Sequence, residues 1–159
     1  MAEIDNNRLA EIQLDETTLP PVTGEAEHER RVAIFDLLEQ NKFELVGFDK
    51  GPYTLKLSIV EQRLLFDVIG ADGAPAHAVV LSLTPFRRVI KDYFLICDSY
   101  YEAIRRSTPQ QIEAIDMGRR GLHNEGSELL EARLAGKVVL DFDTARRLFT
   151  LIVALHART

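Results

Sequence analysis

Residues 53–83 read YTLKLSIVEQRLLFDVIGADGAPAHAVVLSL, and three strands are legible in them. In YTLKLSIV, Tyr53, Leu55, Leu57 and Ile59 fall on one side, and Thr54, Lys56 and Ser58 on the other. That is the period of two by which a half-buried strand presents its side chains. Glu61 and Gln62 separate this run from RLLFDVIG, where Leu64, Phe66 and Val68 alternate, and ADGAP makes the next turn before HAVVLSL. The three runs predict an antiparallel meander. One apolar face per strand implies a sheet covered on one side only.

Downstream the period changes. Thr84-Pro85 is a helix start, a capping hydroxyl followed by proline. It opens a segment with Phe86, Ile90, Tyr93, Phe94, Cys97, Tyr101 and Ile104 on one broad stripe. Thr108-Pro109 repeats the signal and opens a second helix, expected to run unbroken until Gly136 stops it. The alternative is a break near Gly121, with Asn124 or Ser127 capping a new helix. Asp143 precedes TARRLFTLIVALHA, apolar almost all round and so predicted to be a helix buried in the core. Upstream, Leu9, Ile12 and Leu14 suggest a first strand, and residues 25–41 predict a helix with Val32, Ile34, Phe35, Leu37 and Leu38 at helical spacing. The predicted fold is α+β: an antiparallel sheet of three to four strands carrying one N-terminal helix and three C-terminal helices on one face. Residues 1–159 are read as one domain, with 1–24 a partly flexible N-terminal segment.

Composition narrows function by exclusion. The longest apolar run, LFTLIVAL, is too short to span a bilayer, and the acidic opening MAEIDNNRLAEIQLDE does not look like a signal peptide. The expectation is a cytoplasmic protein without membrane contact. The single cysteine, Cys97, excludes an intramolecular disulfide, and its place on an apolar stripe reads as a small buried hydrophobe. The net charge of −6 disfavours nucleic acid as a partner. Salt-sensitive RNA binding by the Arg-rich helical half stays as a weaker alternative. The charge is uneven: residues 1–83 hold seven Lys/Arg against fifteen Asp/Glu, and residues 84–159 twelve against ten. Fourteen of the cations are arginine, with Arg-Arg pairs at 30–31, 87–88, 105–106, 119–120 and 146–147. Arginine suits carboxylate or phosphate recognition. The plain alternative is pairing with the surplus acids.

No phosphate-binding glycine loop, dinucleotide fingerprint, H-E-x-x-H or nucleophile elbow occurs, and the four histidines are dispersed. No cofactor and no metal site is predicted. What stands out is MGRRGLHNEGSE, residues 117–128, with three glycines inside a predicted helix. Each interior glycine costs roughly 0.5–1 kcal/mol relative to alanine, a cost that makes sense where a backbone or ligand approaches closely. On a helical grid Ile112, Ile115, Gly118, Leu122, Gly126 and Leu129 form one row. Asp116, Arg120, His123 and Ser127 form a polar row beside it. In the functional reading Arg119, Arg120, His123, Asn124, Glu125 and Ser127 bind a ligand, Arg120 holding an anion and His123 exchanging a proton. In the plain reading Asp116–Arg120 is a surface ion pair and His123 a boundary residue. Arg146 and Arg147 are expected in the first turn of the last helix, where Asp141 and Asp143 neutralise them or where they converge with the first stretch into an anion site.

The strings LTPFRRVIKDYFLICDSYYEAI, MGRRGLHNEGSELLEARLAGK and DFDTARRLFTLIVALH resemble a bacterial cytoplasmic family catalogued as uncharacterised protein family 0262. The resemblance extends from EHERRVAIFDLLE onward. It implies a single-domain bacterial protein and supplies no activity, cofactor or catalytic residue. The leading expectation is a non-catalytic protein that recognises a partner protein or a small anionic ligand through GRRGLHNEG, with a homodimer along the glycine row as one form. The alternative is an enzyme acting on a phosphorylated or carboxylated metabolite, with His123 as acid/base and Arg119, Arg120 or Arg146 as the clamp. A pocket joining His123 to two arginines would favour the enzyme; a flat face would favour the interaction protein.

Overall fold

The computed structural model describes residues 5–22 and 24–156. The expected meander is present: β3 (Tyr53–Val60), β4 (Arg63–Ile69) and β5 (Pro75–Ser82) pair antiparallel in sequence order. A two-residue turn joins β3 to β4, and Glu61 and Gln62 both take the positive φ that such a turn requires. Tyr53, Leu55, Leu57, Leu64, Phe66, Val68, Val79 and Leu81 are all buried on one face. The first strand, β1 (Leu9–Leu14), lies beside β3 but runs parallel to it, so the sheet is mixed, in the order β1-β3-β4-β5. The parallel pairing follows from the crossover: the intervening chain passes through α1 (Glu25–Glu39), which returns it to the same end of the sheet. Asn41, just past α1, pins the arrangement by accepting from the Leu9 amide and donating to the Leu9 and Leu37 carbonyls.

Two short strands escape the sequence reading. β2 (Phe43–Leu45) and β6 (Val138–Leu140) pair antiparallel outside the main sheet. They tie the link after α1 to the link between the last two helices. Lys42 reinforces the tie by donating its amide to the Thr144 hydroxyl.

After β5 a single 3-10 turn at Thr84–Phe86 leads into α2 (Arg87–Arg106), so the Thr84-Pro85 signal starts a helical segment, but one turn early. The next helix, α3 (Pro109–Leu134), is continuous and opens with a full capping box between Thr108 and Gln111. Gly136, at φ 84°, makes the turn that follows it. The buried residues of α3 are Gly126, Ser127, Leu130 and Leu134, all in its C-terminal half. The N-terminal half of α3 and the end of α2 form a hairpin on which Tyr101, Ile104 and Met117 stay exposed. The expected α2 stripe is therefore buried only at its start. The core helix is α4 (Phe142–Leu155), with Leu148, Phe149, Leu151, Ile152 and Leu155 fully buried, as the all-round apolar pattern predicts.

Helix α1 turns a different face to the core than its largest side chains suggest. Ala33 and Leu37 are buried while Val32 and Phe35 are exposed. Arg30 shares the buried face with Ala33 and Leu37 and reaches the C-terminal end of α4. Its guanidinium donates to the carbonyls of Pro20, Ala154 and Leu155. A cation is favoured there by the unpaired carbonyls of a helix end. No helix of the described residues is long and apolar enough to cross a membrane.

Candidate functional site

The glycine-rich stretch of α3 holds three glycines, and the structure gives them three different surroundings. A Cβ on Gly126 would lie 2.1 Å from Cζ of Phe149. The ring is thus packed flat on bare backbone, a side chain taking the place of the backbone or ligand expected from sequence. Gly118 faces the flexible tip of Ile96, and Gly121 faces open space.

Beside that packed ring α3 and α4 part to leave a cleft of about 380 Å³. Arg119, Arg120 and His123 line it from α3, and Tyr93 from α2. From α4 come Asp143, Arg146, Arg147 and Thr150. The structure therefore brings together five of the residues singled out by sequence, from two stretches that are separate along the chain. The other three lie elsewhere. Ser127 is fully buried and donates its hydroxyl to the His123 carbonyl at 2.8 Å. Glu125 is bound to Arg88 of α2. Asn124 is half-buried, with its Oδ1 enclosed and without a partner among the described residues.

His123 is held on three sides. Its ring stands edge-on to Tyr93 at 5.6 Å and to Phe149 at 5.2 Å between centroids. Nε2 lies 2.7 Å from the Thr150 hydroxyl, which itself donates to the Arg146 carbonyl at 3.0 Å. With the hydroxyl proton used there, Nε2 carries the imidazole hydrogen and Nδ1 is left bare. Nδ1 is buried and has no hydrogen-bond partner among the described residues. Burial, with Arg146 and Arg119 nearby, pushes the His123 pKa down to about 4, so the ring is neutral near pH 7. Burial also pushes the Tyr93 hydroxyl up to about 12.

The arginine pairs differ in how their charge is used. Arg31 meets Glu27, Arg106 meets Glu102, and Arg88 meets Asp92 and Glu125. Arg119 and Arg120 share Asp116 at 2.6 and 3.3 Å, and Arg119 also lies 4.2 Å above the Tyr100 ring. Pairing with the surplus acids thus accounts for at least one member of four pairs. The fifth is different: among the described residues neither Arg146 nor Arg147 is in an ion pair, and Arg147 donates to the Gln40 carbonyl at 3.1 Å. The expected first-turn position is corrected, while Asp141, within the field of Arg147, and Asp143, lining the same cleft, stand beside the two arginines without forming an ion pair. Asp141 is the N-cap, accepting from the Thr144 amide, so both arginines fall in the second turn.

Tyr93 and Thr150 were not singled out by sequence, and Asp143 only as a neutralising neighbour of the arginines. For two of them a signal existed. Asp143, Arg146 or Arg147, and Thr150 follow one another at steps of three and four, which puts them on one helical face. Tyr93 had no comparable signal, since it reaches the cleft from a third helix.

Comparison with known proteins gives a consistent family and no activity. The model of the Uncharacterised protein family (UPF0262) matches residues 6–158. A UPF0262 protein of Hyphomonas neptunium is 64% identical over 151 residues, covering 95% of this chain and 93% of its own. One of Rhodospirillum rubrum is 62% identical over 154 residues, 97% and 95% of the two chains. One of Brucella canis is 59% identical over 158 residues, 99% and 98%. No solved structure matches.

Proposed function

The chain belongs to this uncharacterised family, whose name assigns no activity, and from the chain's own geometry we propose that the α3–α4 cleft binds a small phosphorylated or carboxylated molecule. One observation carries the reading: the arginine pair that is in no ion pair among the described residues is the pair that lines the cleft, opposite Arg119 and Arg120. A guanidinium offers a planar fork that matches a carboxylate or phosphate. Asp143 also lines the cleft, Asp116 pairs with Arg119 and Arg120, and Asp141 lies within the field of Arg147, but four guanidinium groups against three carboxylates still leave it cationic. The volume lies at the small end of the roughly 300–1,000 Å³ usual for ligand pockets, which suits a metabolite-sized anion.

Binding has more support here than catalysis. An enzyme on such a substrate would need the same pocket, and His123 beside the arginines answers the sequence criterion for one. With its proton affinity so low, however, His123 is a poor donor or acceptor near neutrality. Its Nε2 is also committed to Thr150. The glycine row supports a partner-protein seam less well, because Ile96 and Phe149 already face Gly118 and Gly126.

The test is thermal stabilisation by inorganic phosphate, citrate and a panel of phosphorylated metabolites. A ligand at a hundred times its Kd adds about 2.7 kcal/mol, roughly 5–10 °C in Tm for a chain of this size. The wild type should show the shift, and Arg146→Ala and Arg120→Ala should lose most of it. No shift with any anion, or equal shifts in all three proteins, would refute the reading.

A further inference from the structure

We propose that a second site, an apolar trough along α2, holds a single-chain amphiphile with an anionic head, an acyl carboxylate. The trough encloses about 810 Å³ between α2, the segment 18–20 and the β3–β4 turn. Its floor is Leu19, Leu83 and Ile90, each at most 6% exposed, and Ile59, Phe94 and Leu95 form its walls. Leu95 is 56% exposed, although a large apolar side chain gains most from cover. Along α2 the lining runs from Arg87 to Asp98, about 16 Å at 1.5 Å per residue.

The charges at the rim select the head group. Arg87 and Lys91 sit one helical turn apart at one end, and among the described residues neither is in an ion pair. The cationic end is also fixed in place. Arg87 donates to the Gln62 side chain, and the Gln62 carbonyl accepts from the Leu83 amide at 3.0 Å. The β3–β4 turn thus positions an arginine over the mouth of an apolar trough. An apolar tail would lie against the floor, with its carboxylate between Arg87 and Lys91.

Isothermal titration of the full chain with decanoate tests this, with decyltrimethylammonium as the head-group control and acetate as the tail control. Decanoate should bind one to one, at least tenfold more tightly than decyltrimethylammonium, and acetate should give no heat. The double variant Arg87→Ala, Lys91→Ala should weaken decanoate at least tenfold, and Leu95→Asp should abolish binding. All three side chains are exposed, so an unchanged Tm is expected. Arg146→Ala should leave decanoate binding intact, which separates this site from the α3–α4 cleft. Equal affinity for the two decyl compounds, no heat from decanoate, or full binding by Leu95→Asp would overturn the proposal. So would a homodimer that Leu95→Asp dissociates, because a second copy would then cover the trough. Adsorption to anionic vesicles without binding of decanoate would overturn it as well.

Discussion

Replacing glycine by alanine at two positions five residues apart in α3 should move stability in opposite directions. At Gly121 a Cβ meets nothing within 4 Å. Gly121→Ala should therefore return the intrinsic helix preference, a gain of about 0.5–1 kcal/mol. At Gly126 the same methyl would lie 2.1, 2.4 and 2.6 Å from Cζ, Cε1 and Cε2 of Phe149. The ring has little room to retreat, being fully buried and edged by His123 and Tyr93. Overpacking a core of this kind costs about 1–3 kcal/mol, so after the helix gain Gly126→Ala should lose about 1–2 kcal/mol. The two variants would then differ by about 2–3 kcal/mol, or roughly 5–10 °C in Tm. Urea denaturation followed by circular dichroism measures both. Phe149→Leu in the Gly126→Ala background should cost less than the two changes separately, with a coupling of about 0.5–3 kcal/mol. A Gly126→Ala protein as stable as wild type would refute the close approach, and strictly additive changes would refute the assignment to Phe149.

Two further outcomes follow from the burial of charged groups. His123 should titrate by NMR with a midpoint near 4, and phosphate should raise that midpoint by offsetting the field of Arg146 and Arg119; a midpoint near 6.5 would contradict the site geometry. The unfolded chain takes up a proton near pH 6.5 and the folded one only near 4. The His123 contribution is therefore complete above 6.5 and is lost as pH falls through that window, by about 1 kcal/mol per pH unit after allowing for partial solvent screening. Arg30→Met should lower stability in urea by about 2–3 kcal/mol, since it strands three carbonyls that a buried cation satisfies. Arg31→Met, removing only an exposed pair with Glu27, should stay within about 0.5 kcal/mol of wild type.

The α+β fold was legible wherever a periodicity ran long enough to show itself. The meander, the unbroken α3 and the buried α4 all rest on eight or more residues of one pattern. The strands β2 and β6 span three residues each, too few for any period to register. Alternation in Leu9, Ile12 and Leu14 marks a strand but not its neighbour, so the parallel pairing with β3 could only come from the crossover through α1. The core face of α1 was hidden for another reason. Val32 and Phe35 point outward, and the inward face includes an arginine, Arg30, whose composition signal points to the surface. The glycines were recognised as unusual, yet what fills the space at Gly126 comes from a helix 23 residues further on. The cleft was legible in its arginines and histidine, which are marked by residue type. Its remaining walls belong to ordinary residues made relevant only by helix packing.

The two walls of that cleft are mechanically unequal. Arg146 and Arg147 project from α4, whose opposite face is locked into the core, and the β2–β6 ladder clamps the chain just before it. Arg119 and Arg120 ride on the half of α3 that has no fully buried residue, packed beside an end of α2 in which Ala103 alone is buried. Segments with so little buried contact open locally at small free-energy cost. Any ligand bridging the cleft would therefore meet one fixed jaw and one compliant jaw. Closure would be borne by the α2–α3 hairpin, leaving the sheet and α4 undisturbed.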